Sequence, residues 1–446
     1  MTNRFDSAWV AARALAGAAA EETLLDVVLV RDVIGRVSLV VDDSPQDGPS
    51  ADYVHALADR LAEATKPFTA PGGVMLVSTM FDPSQIFQAR DLVMLRDRTS
   101  AHGRVSVLER SVVGAEWLHP RLRNNPTGSH RVTLYAFKGG VGRSSATFML
   151  AQHLASHGKC VLVVDLDLES PGVSSLLQDD DDLPDYGVID YIAESAVGNA
   201  DGLDLVTKSQ TVRVGGNGEV WIAPAGGRPR DVYDYLAKLN RAYLDLPATT
   251  PQGVPQTLAS RLESAVGGCE RRVRELSRQP DVTLLDSRAG IHDIAAIAIT
   301  QLAQDSLLFA TDSPATWNGY RELFGQWSRV PERAQAIRSR LRMVAAMVPR
   351  DRRDAYLESF RDHAQSCFAA TLYDDVPSGE DPDEAAAEFN FAPDDEDAPH
   401  APLPIYFAPD LVTLDAAARR NWHVIDPGAY TAFLDGATVL IVGDQP

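Results

Sequence analysis

The segment Lys138-Gly139-Gly140-Val141-Gly142-Arg143-Ser144-Ser145 limits what this chain can fold into more than any other stretch. Three glycines, a cation before and after them, and two hydroxyls follow the logic of a phosphate loop, in general form G-x-x-x-x-G-K-[ST]. In such a loop glycines turn backbone N–H groups inward, a cation reaches the phosphates, and a hydroxyl ligates Mg²⁺. The flanks agree. Arg131–Phe137 (RVTLYAF) reads as a strand, and Ser144–His157 (SSATFMLAQHLASH) reads as a helix stopped by Gly158. A strand–loop–helix order puts the loop at a positive helix N-terminus, where anions bind. The plain alternative is a glycine turn with no ligand.

Two downstream segments favour the ligand. Cys160–Val164 (CVLVV) is a short apolar run, read as a buried strand, that ends in Asp165-Leu166-Asp167. Val282–Leu285 (VTLL) is another, ending in Asp286-Ser287-Arg288-Ala289-Gly290. Carboxylates at the C-terminal ends of parallel strands face the same crevice as the loop. There they can hold Mg²⁺ or its waters and orient an attacking water. The three motifs together point to a nucleotide site.

Lys138–Ser145 resembles the deviant Walker A motif, KGGxGK[ST], of the ParA/MinD family of dimerising ATPases. The resemblance runs through Val161–Val173 (VLVVDLDLESPGV), Tyr186–Ile192 (YGVIDYI), Val220–Gly226 (VWIAPAG), Asp286–Gly290 and Ser306–Thr316 (SLLFATDSPAT), with a weaker echo in Leu403–Val412. It implies a doubly wound, mostly parallel α/β P-loop domain that binds ATP and Mg²⁺ and forms a homodimer on ATP. It also implies roles. The loop, Lys138, Gly139, Gly140, Val141, Gly142, Arg143, Ser144 and Ser145, would hold the nucleotide, and Lys138 would cross the dimer interface to the partner's ATP. Asp165 matches the magnesium-side acid, Asp167 the water-orienting one and Asp286 the Walker B aspartate, with Ser144 on the metal.

Arg143 departs from the pattern, because a second lysine is expected there. The chain has 36 Arg and only five Lys, so drift in composition is one explanation. Lys138 is nevertheless one of the five. Arginine keeps charge and donors but is bulkier and planar, so the exchange is not neutral. ATP binding is expected to survive, and fast hydrolysis is not. The loop also resembles a KGGVGR-variant group of bacterial ATPases, which implies a conflict or defence locus. The resulting expectation is a slow ATPase acting as a switch on partner proteins. A hydrolysis-deficient, nucleotide-bound scaffold is the alternative. A protein phosphotransferase ranks below both, since such enzymes carry a tyrosine-rich tail and only Tyr430 lies in this one.

Bulk properties narrow the class. A net charge of −21 argues against nucleic acid or an anionic membrane as main partner. Cys160, Cys269 and Cys367 are odd in number and far apart, so neither a disulfide framework nor a paired-cysteine metal site is expected. No run of 18 apolar residues appears, so no membrane span is expected and the location reads as cytoplasmic. Ala8–Ala20 superficially resembles a signal peptide, but Arg13 interrupts it and it reads as a helix. The segment FLDGATVLIVGDQP is apolar and acidic, so membrane anchoring through a basic terminal helix, as in the MinD branch, is not expected.

Residues 1–118 read as a small α+β domain, favoured as an adaptor that binds an unidentified protein partner, with a structural extension of the ATPase as the alternative. Leu25–Val33 and Arg36–Val41 form a hairpin about Ile34-Gly35, Asp52–Ala64 a helix capped by Ser50 or Asp52, and Val74–Ser78 and Val105–Val113 further strands. His55, His102 and His119 are scattered and suggest no metal site. Residues 119–130 (HPRLRNNPTGSH) read as a linker, and 131–446 as the ATPase domain. Within the latter, Gln178–Asp185 (QDDDDLPD) reads as a solvated loop by default, with ordering at an interface or a cation site as alternatives. Asp231–Leu246 reads as an amphipathic helix with Tyr233, Leu236, Leu239 and Tyr243 on one face, for core packing or a dimer contact. Residues 374–397 carry eleven acidic side chains and no Lys or Arg, so a disordered insertion over 374–400 is expected. After it, Ala417–Asn421 reads as helix and Ala437–Val442 as a last strand.

Overall fold

The structure, a computed structural model, describes residues 3–44, 48–89, 91–118, 128–212, 215–230, 233–247, 255–375, 389–409 and 427–443. The chain divides into two compact units, Met1–Ala115 and Glu116–Pro446.

The first unit is a five-stranded sheet of order β3-β2-β1-β5-β4 with two long helices on one face and the short helix Ser84–Phe87 on the other. Strands β1 (Asp26–Arg31) and β2 (Val37–Asp42) pair antiparallel across the Ile34-Gly35 turn, as read from the sequence. Strands β3 (Thr69–Leu76), β4 (Leu92–Arg96) and β5 (Val105–Glu109) complete it. Helix Phe5–Thr23 buries Ala12, Ala16, Ala19 and Ala20 against this sheet, at the spacing of one helical face. Helix Ala51–Thr65 adds Leu57 and Leu61, and the Ser50 hydroxyl caps it by accepting from Tyr53 N at 3.2 Å. Strand β4 has no alternating pattern to betray it: Met94 and Leu95 are consecutive and both exposed. The strand expected over Val105–Val113 stops at Glu109, and Val112 and Val113 are exposed.

The second unit is an eight-stranded sheet of order β13-β12-β11-β6-β10-β7-β9-β8. Its strands are β6 (His130–Ala136), β7 (Cys160–Asp165), β8 (Thr207–Lys208), β9 (Glu219–Ala223), β10 (Val282–Asp286), β11 (Asp305–Ala310), β12 (Leu341–Val348) and β13 (Leu403–Tyr406). All neighbours run parallel except β8 against β9. Both faces are covered. Val132, Leu134 and Ala136 of β6 pack with helices Arg143–Ser156 and Thr431–Val442, whereas Tyr135 points to the face of Pro314–Ser328 and Arg353–Ala369. This is the doubly wound α/β arrangement, with the phosphate-loop strand β6 at its centre.

Several expectations need correction. Ala437–Val442 is no strand; it ends the helix Thr431–Val442. The β-branched run ATVLIV suggested a strand, but the buried positions Phe433, Leu434, Ala437 and Ile441 recur at helical spacing. Gly436 lets that helix approach β13, since a Cβ there would lie 2.5 Å from Leu403 Cδ2. The helix expected over Asp231–Leu246 spans only Tyr235–Ala242, because the Asp234 carboxylate caps it, accepting from Ala237 N at 2.9 Å. Tyr233 thus precedes the helix and Leu236 is exposed. The acidic stretch is partly ordered: Asp374 pairs with Arg338 at 2.5 Å, and Phe389 and Phe391 pack on Tyr373, whose hydroxyl donates to the buried His400 Nδ1. Residues 376–388, Ala417–Asn421 and most of the expected linker lie outside the described residues, but Ser129 is buried and His130 already belongs to β6.

Candidate functional site

Strand β6 ends at Ala136, and the chain then turns through Lys138–Gly142 into the helix Arg143–Ser156. Gly140 (φ 77°) and Gly142 (φ 84°) take left-handed backbone angles that a side chain would strain. A Cβ at Gly139, Gly140 or Gly142 would meet nothing within 4 Å, so the loop is open on its outer side. Val141 is the exception, buried in the core beneath helix Arg143–Ser156. Gly142 precedes the first helical turn, whose N–H groups are the ordinary anion-binding donors of a helix start.

The loop lines a cavity of about 320 Å³ with Ala136, Lys138, Ser144, Ser145, Asp167, Ser170 and Ala289. A second cavity of about 310 Å³ shares Gly140, Val141, Gly142 and Ser145 with it and is lined by Met347, Ile405, Phe407, Ala408 and Tyr430. One half of the cleft is therefore polar and the other apolar. Met347 adopts φ 57° where β12 and β13 slip register between Ala345 and Val348, a conformation rare for a residue with a side chain. Tyr430 is 3% exposed, so it is a wall of this cleft and no free tail acceptor.

The two loop cations differ. Lys138 is exposed at the lip, and among the described residues nothing hydrogen-bonds or ion-pairs with its amine. The Arg143 side chain is 10% exposed and folds onto two carboxylates. Its Nε donates to Asp286 Oδ1 at 2.8 Å, and Nη2 to Asp167 Oδ2 at 3.2 Å. Asp286 also accepts from Ser144 Oγ at 2.8 Å and Thr147 Oγ1 at 3.1 Å. The structure thus gathers Arg143, Ser144, Asp167 and Asp286 into one cluster.

Asp165 sits directly opposite Asp286 in the β7–β10 register and is fully buried. Its oxygens accept from Gly172 N (3.2 Å), Ser174 N (3.3 Å), Ser174 Oγ (2.8 Å) and Asp167 N (3.2 Å), which shapes the 165–174 loop. Burial, then the Asp286 charge, pushes its carboxyl up to about 7 despite the Ser174 hydrogen bonds. Asp167 is likewise pushed up by burial, with Arg143 opposing the shift.

Sequence reasoning missed a second tier. Glu169 follows the Asp167 turn and meets Arg288 at 2.5 Å, His292 at 3.1 Å and the Tyr243 hydroxyl. Burial would raise the Glu169 carboxyl, but hydrogen bonds from His292, Tyr243 and Arg288 hold it down at about 2. Tyr235 donates to Leu168 O at 2.6 Å. These contacts tie the loop after β7 to the loop after β10. Glu169 and Arg288 lay inside the quoted motifs, but nothing in their spacing announced a pairing across 119 residues. The apolar half was also missed, although LPIYFAPDLV had been noted as an echo.

The residues fit a nucleotide phosphate and its cation in kind: an open glycine cradle, an exposed ammonium, a hydroxyl and converging carboxylates. Among the described residues, no group of three or more His, Cys, Asp or Glu is arranged to hold a metal by itself. No described helix is long and apolar enough to cross a membrane.

Residues 132–380 match the family model described as the CobQ/CobB/MinD/ParA nucleotide binding domain. No curated protein matches the chain. Among solved structures, it is similar to pNOB8 ParA at 16% identity, over 71% of this chain and 100% of that one, with a TM-score of 0.42. It is similar to the MinD cell division protein of Aquifex aeolicus at 16% identity, over 71% and 99%, with a TM-score of 0.39. A plasmid partition protein of Borrelia burgdorferi, bound to AMPPNP, follows at 14% identity, over 70% and 100%, with a TM-score of 0.39. All three are distant likenesses.

Proposed function

Because the chain belongs to the CobQ/CobB/MinD/ParA nucleotide-binding family, we propose that it is an ATP-dependent dimerising switch, with slow hydrolysis, that controls partner proteins in the cytoplasm. The observation that carries this reading is the asymmetry of the loop. Gly140 and Gly142 hold an open cradle, Lys138 stands unpaired at its lip, and an apolar half-cleft continues from the same glycines. The backbone N–H groups of 139–145 bind the phosphates, and the base rests among Met347, Ile405, Phe407 and Tyr430. Lys138 reaches across to the ATP of a second copy. Ser144 and Asp286, with Asp165 behind them, would hold Mg²⁺, which would spread charge from the β- and γ-phosphates. Asp167 orients the attacking water. Adenine is favoured over guanine because the sequence has no N-K-x-D segment. Glu169, Arg288 and His292 couple the two loops that flank the phosphates, so a change at one is felt at the other.

Residues 1–115 serve as the partner-binding unit, and a conflict or defence locus is the setting that the KGGVGR variant suggests. One observation favours a second reading, a nucleotide-locked scaffold: the water-orienting Asp167 is itself engaged by Arg143. Light scattering with no nucleotide, with ADP and with ATP–Mg²⁺, with phosphate release followed in parallel, tests both. The switch gives an ATP-specific dimer with slow release, and the scaffold a dimer with none. No nucleotide response at all would sink the proposal.

A further inference from the structure

Two strand-end carboxylates, Asp165 and Asp286, face each other in register with both residues wholly buried, and Asp167 lies two residues on. Carboxylates gathered in so little water need a cation or a proton. Asp165 is satisfied by donors of its own loop. Asp286 and Asp167 share one cation, the Arg143 guanidinium, at 2.8 and 3.2 Å. A lysine amine is a point charge on a flexible stem; the planar fork of arginine can span two carboxylates at once. Arg143 also opens its helix, so its backbone is pinned by the loop and only its side chain can turn between the carboxylates and a phosphate. The Ser144 hydroxyl donates to Asp286 from the next position, so Arg143 sits where the hydroxyl and carboxylate of a metal site already meet.

We infer that Arg143 is a built-in stand-in for the divalent cation: the guanidinium and the metal take turns on Asp286 and exclude each other, and the same departure of the guanidinium frees Asp167. A divalent ion sharing Asp286 with the guanidinium would meet like-charge repulsion that so buried a site screens weakly. By itself, therefore, Mg²⁺ gains no foothold. Nucleotide phosphates draw the guanidinium over, and only then do the carboxylates accept the metal. This last step rests on the ATP reading above; the mutual exclusion does not. In a loop with lysine at this position the bridge is absent, so the gate is particular to the arginine.

The test is thermal unfolding of the full chain without nucleotide, with Mg²⁺ titrated at constant ionic strength and EDTA as reference. Wild type is expected to show no shift. Arg143→Gln, which removes the charge but keeps a polar side chain, is expected to start lower and rise by about 2 °C at saturating Mg²⁺. Asp286→Asn added to Arg143→Gln should abolish that rise. A wild-type shift equal to the variant's, or no shift in Arg143→Gln, overturns the inference. Should Arg143→Gln fail to fold, Arg143→Lys replaces it, and a Mg²⁺ shift smaller than about 2 °C but above wild type is the expected outcome. No shift there overturns it equally. ATP binding to wild type is read separately by calorimetry, so that loss of the nucleotide reading and loss of this one are told apart.

Discussion

At one end of β6, Arg131 is buried against Glu270 and Glu263; just past the other end, Arg143 is buried against Asp286 and Asp167. Both arginines bridge two carboxylates, but their surroundings differ. Arg131 forks both oxygens of Glu270 at 2.8 Å and reaches Glu263 at 2.8 Å, while the Ser129 and Thr283 hydroxyls complete Glu270. Among the described residues, no phosphate-type glycine loop borders that pair. Arg143 stands at the C-terminal ends of parallel strands, where the crossovers leave a crevice. Identical ion-pair chemistry is a structural clamp at one end of the sheet and an exchangeable contact at the other, and position in the topology decides which.

The largest expected effect separates the two. Arg131→Ala should cost about 4 kcal/mol of stability in urea melts, since it strands a buried carboxylate, and neither Mg²⁺ nor nucleotide should restore it. Arg143→Ala should cost about 3 kcal/mol and recover part of that with Mg²⁺. Equal recovery of both variants would break the comparison.

A second pair of measurements sharpens it within the cleft. Phe407→Ala should lower ATP affinity by about 1 kcal/mol, roughly fivefold, through lost contact with the base, and should leave the Mg²⁺ response as in wild type. Unchanged affinity in calorimetry would remove the base from this half of the cleft.

The smallest effects are in pH, and they have opposite signs. Burial would raise Glu270, but the Arg131 hydrogen bond and charge hold it below its ordinary value of 4.5. Its contribution is present above about that pH and is lost on acidification. Asp165 moves the other way, from 3.8 to about 7, so its contribution is present in acid and is lost as pH rises through about 7. Glu270→Gln should flatten the acid limb of the stability profile, and Asp165→Asn the stretch between. The same slope in both variants and in wild type would contradict the assignment.

Much of this was legible in the residues. The strand–loop–helix at 131–157 and the aspartates ending β7 and β10 follow from glycine spacing and apolar runs, which are local signals. What escaped was set by contacts distant in sequence. Arg143 was known to be the odd cation, but only the fold reveals that Asp286, 143 residues away, receives it. The last helix hid because the β-branched run Thr438–Val442 reads locally as a strand, while its buried residues Phe433, Leu434, Ala437 and Ile441 keep helical spacing. The apolar wall of the cleft, from Met347 to Tyr430, joins segments that no short motif connects. Met94 and Leu95 give β4 no period, so an edge strand went unread.

The most direct test of the switch is light scattering of wild type and Lys138→Ala with ATP and Mg²⁺, with bound nucleotide measured on the same samples. The free ammonium at the loop's lip predicts a wild-type dimer and a Lys138→Ala monomer that still carries nucleotide. The loss in dimer affinity should be about 3 kcal/mol, on the order of a hundredfold. A Lys138→Ala dimer as firm as the wild type's would contradict the crossing lysine, and with it the account of how ATP joins two copies.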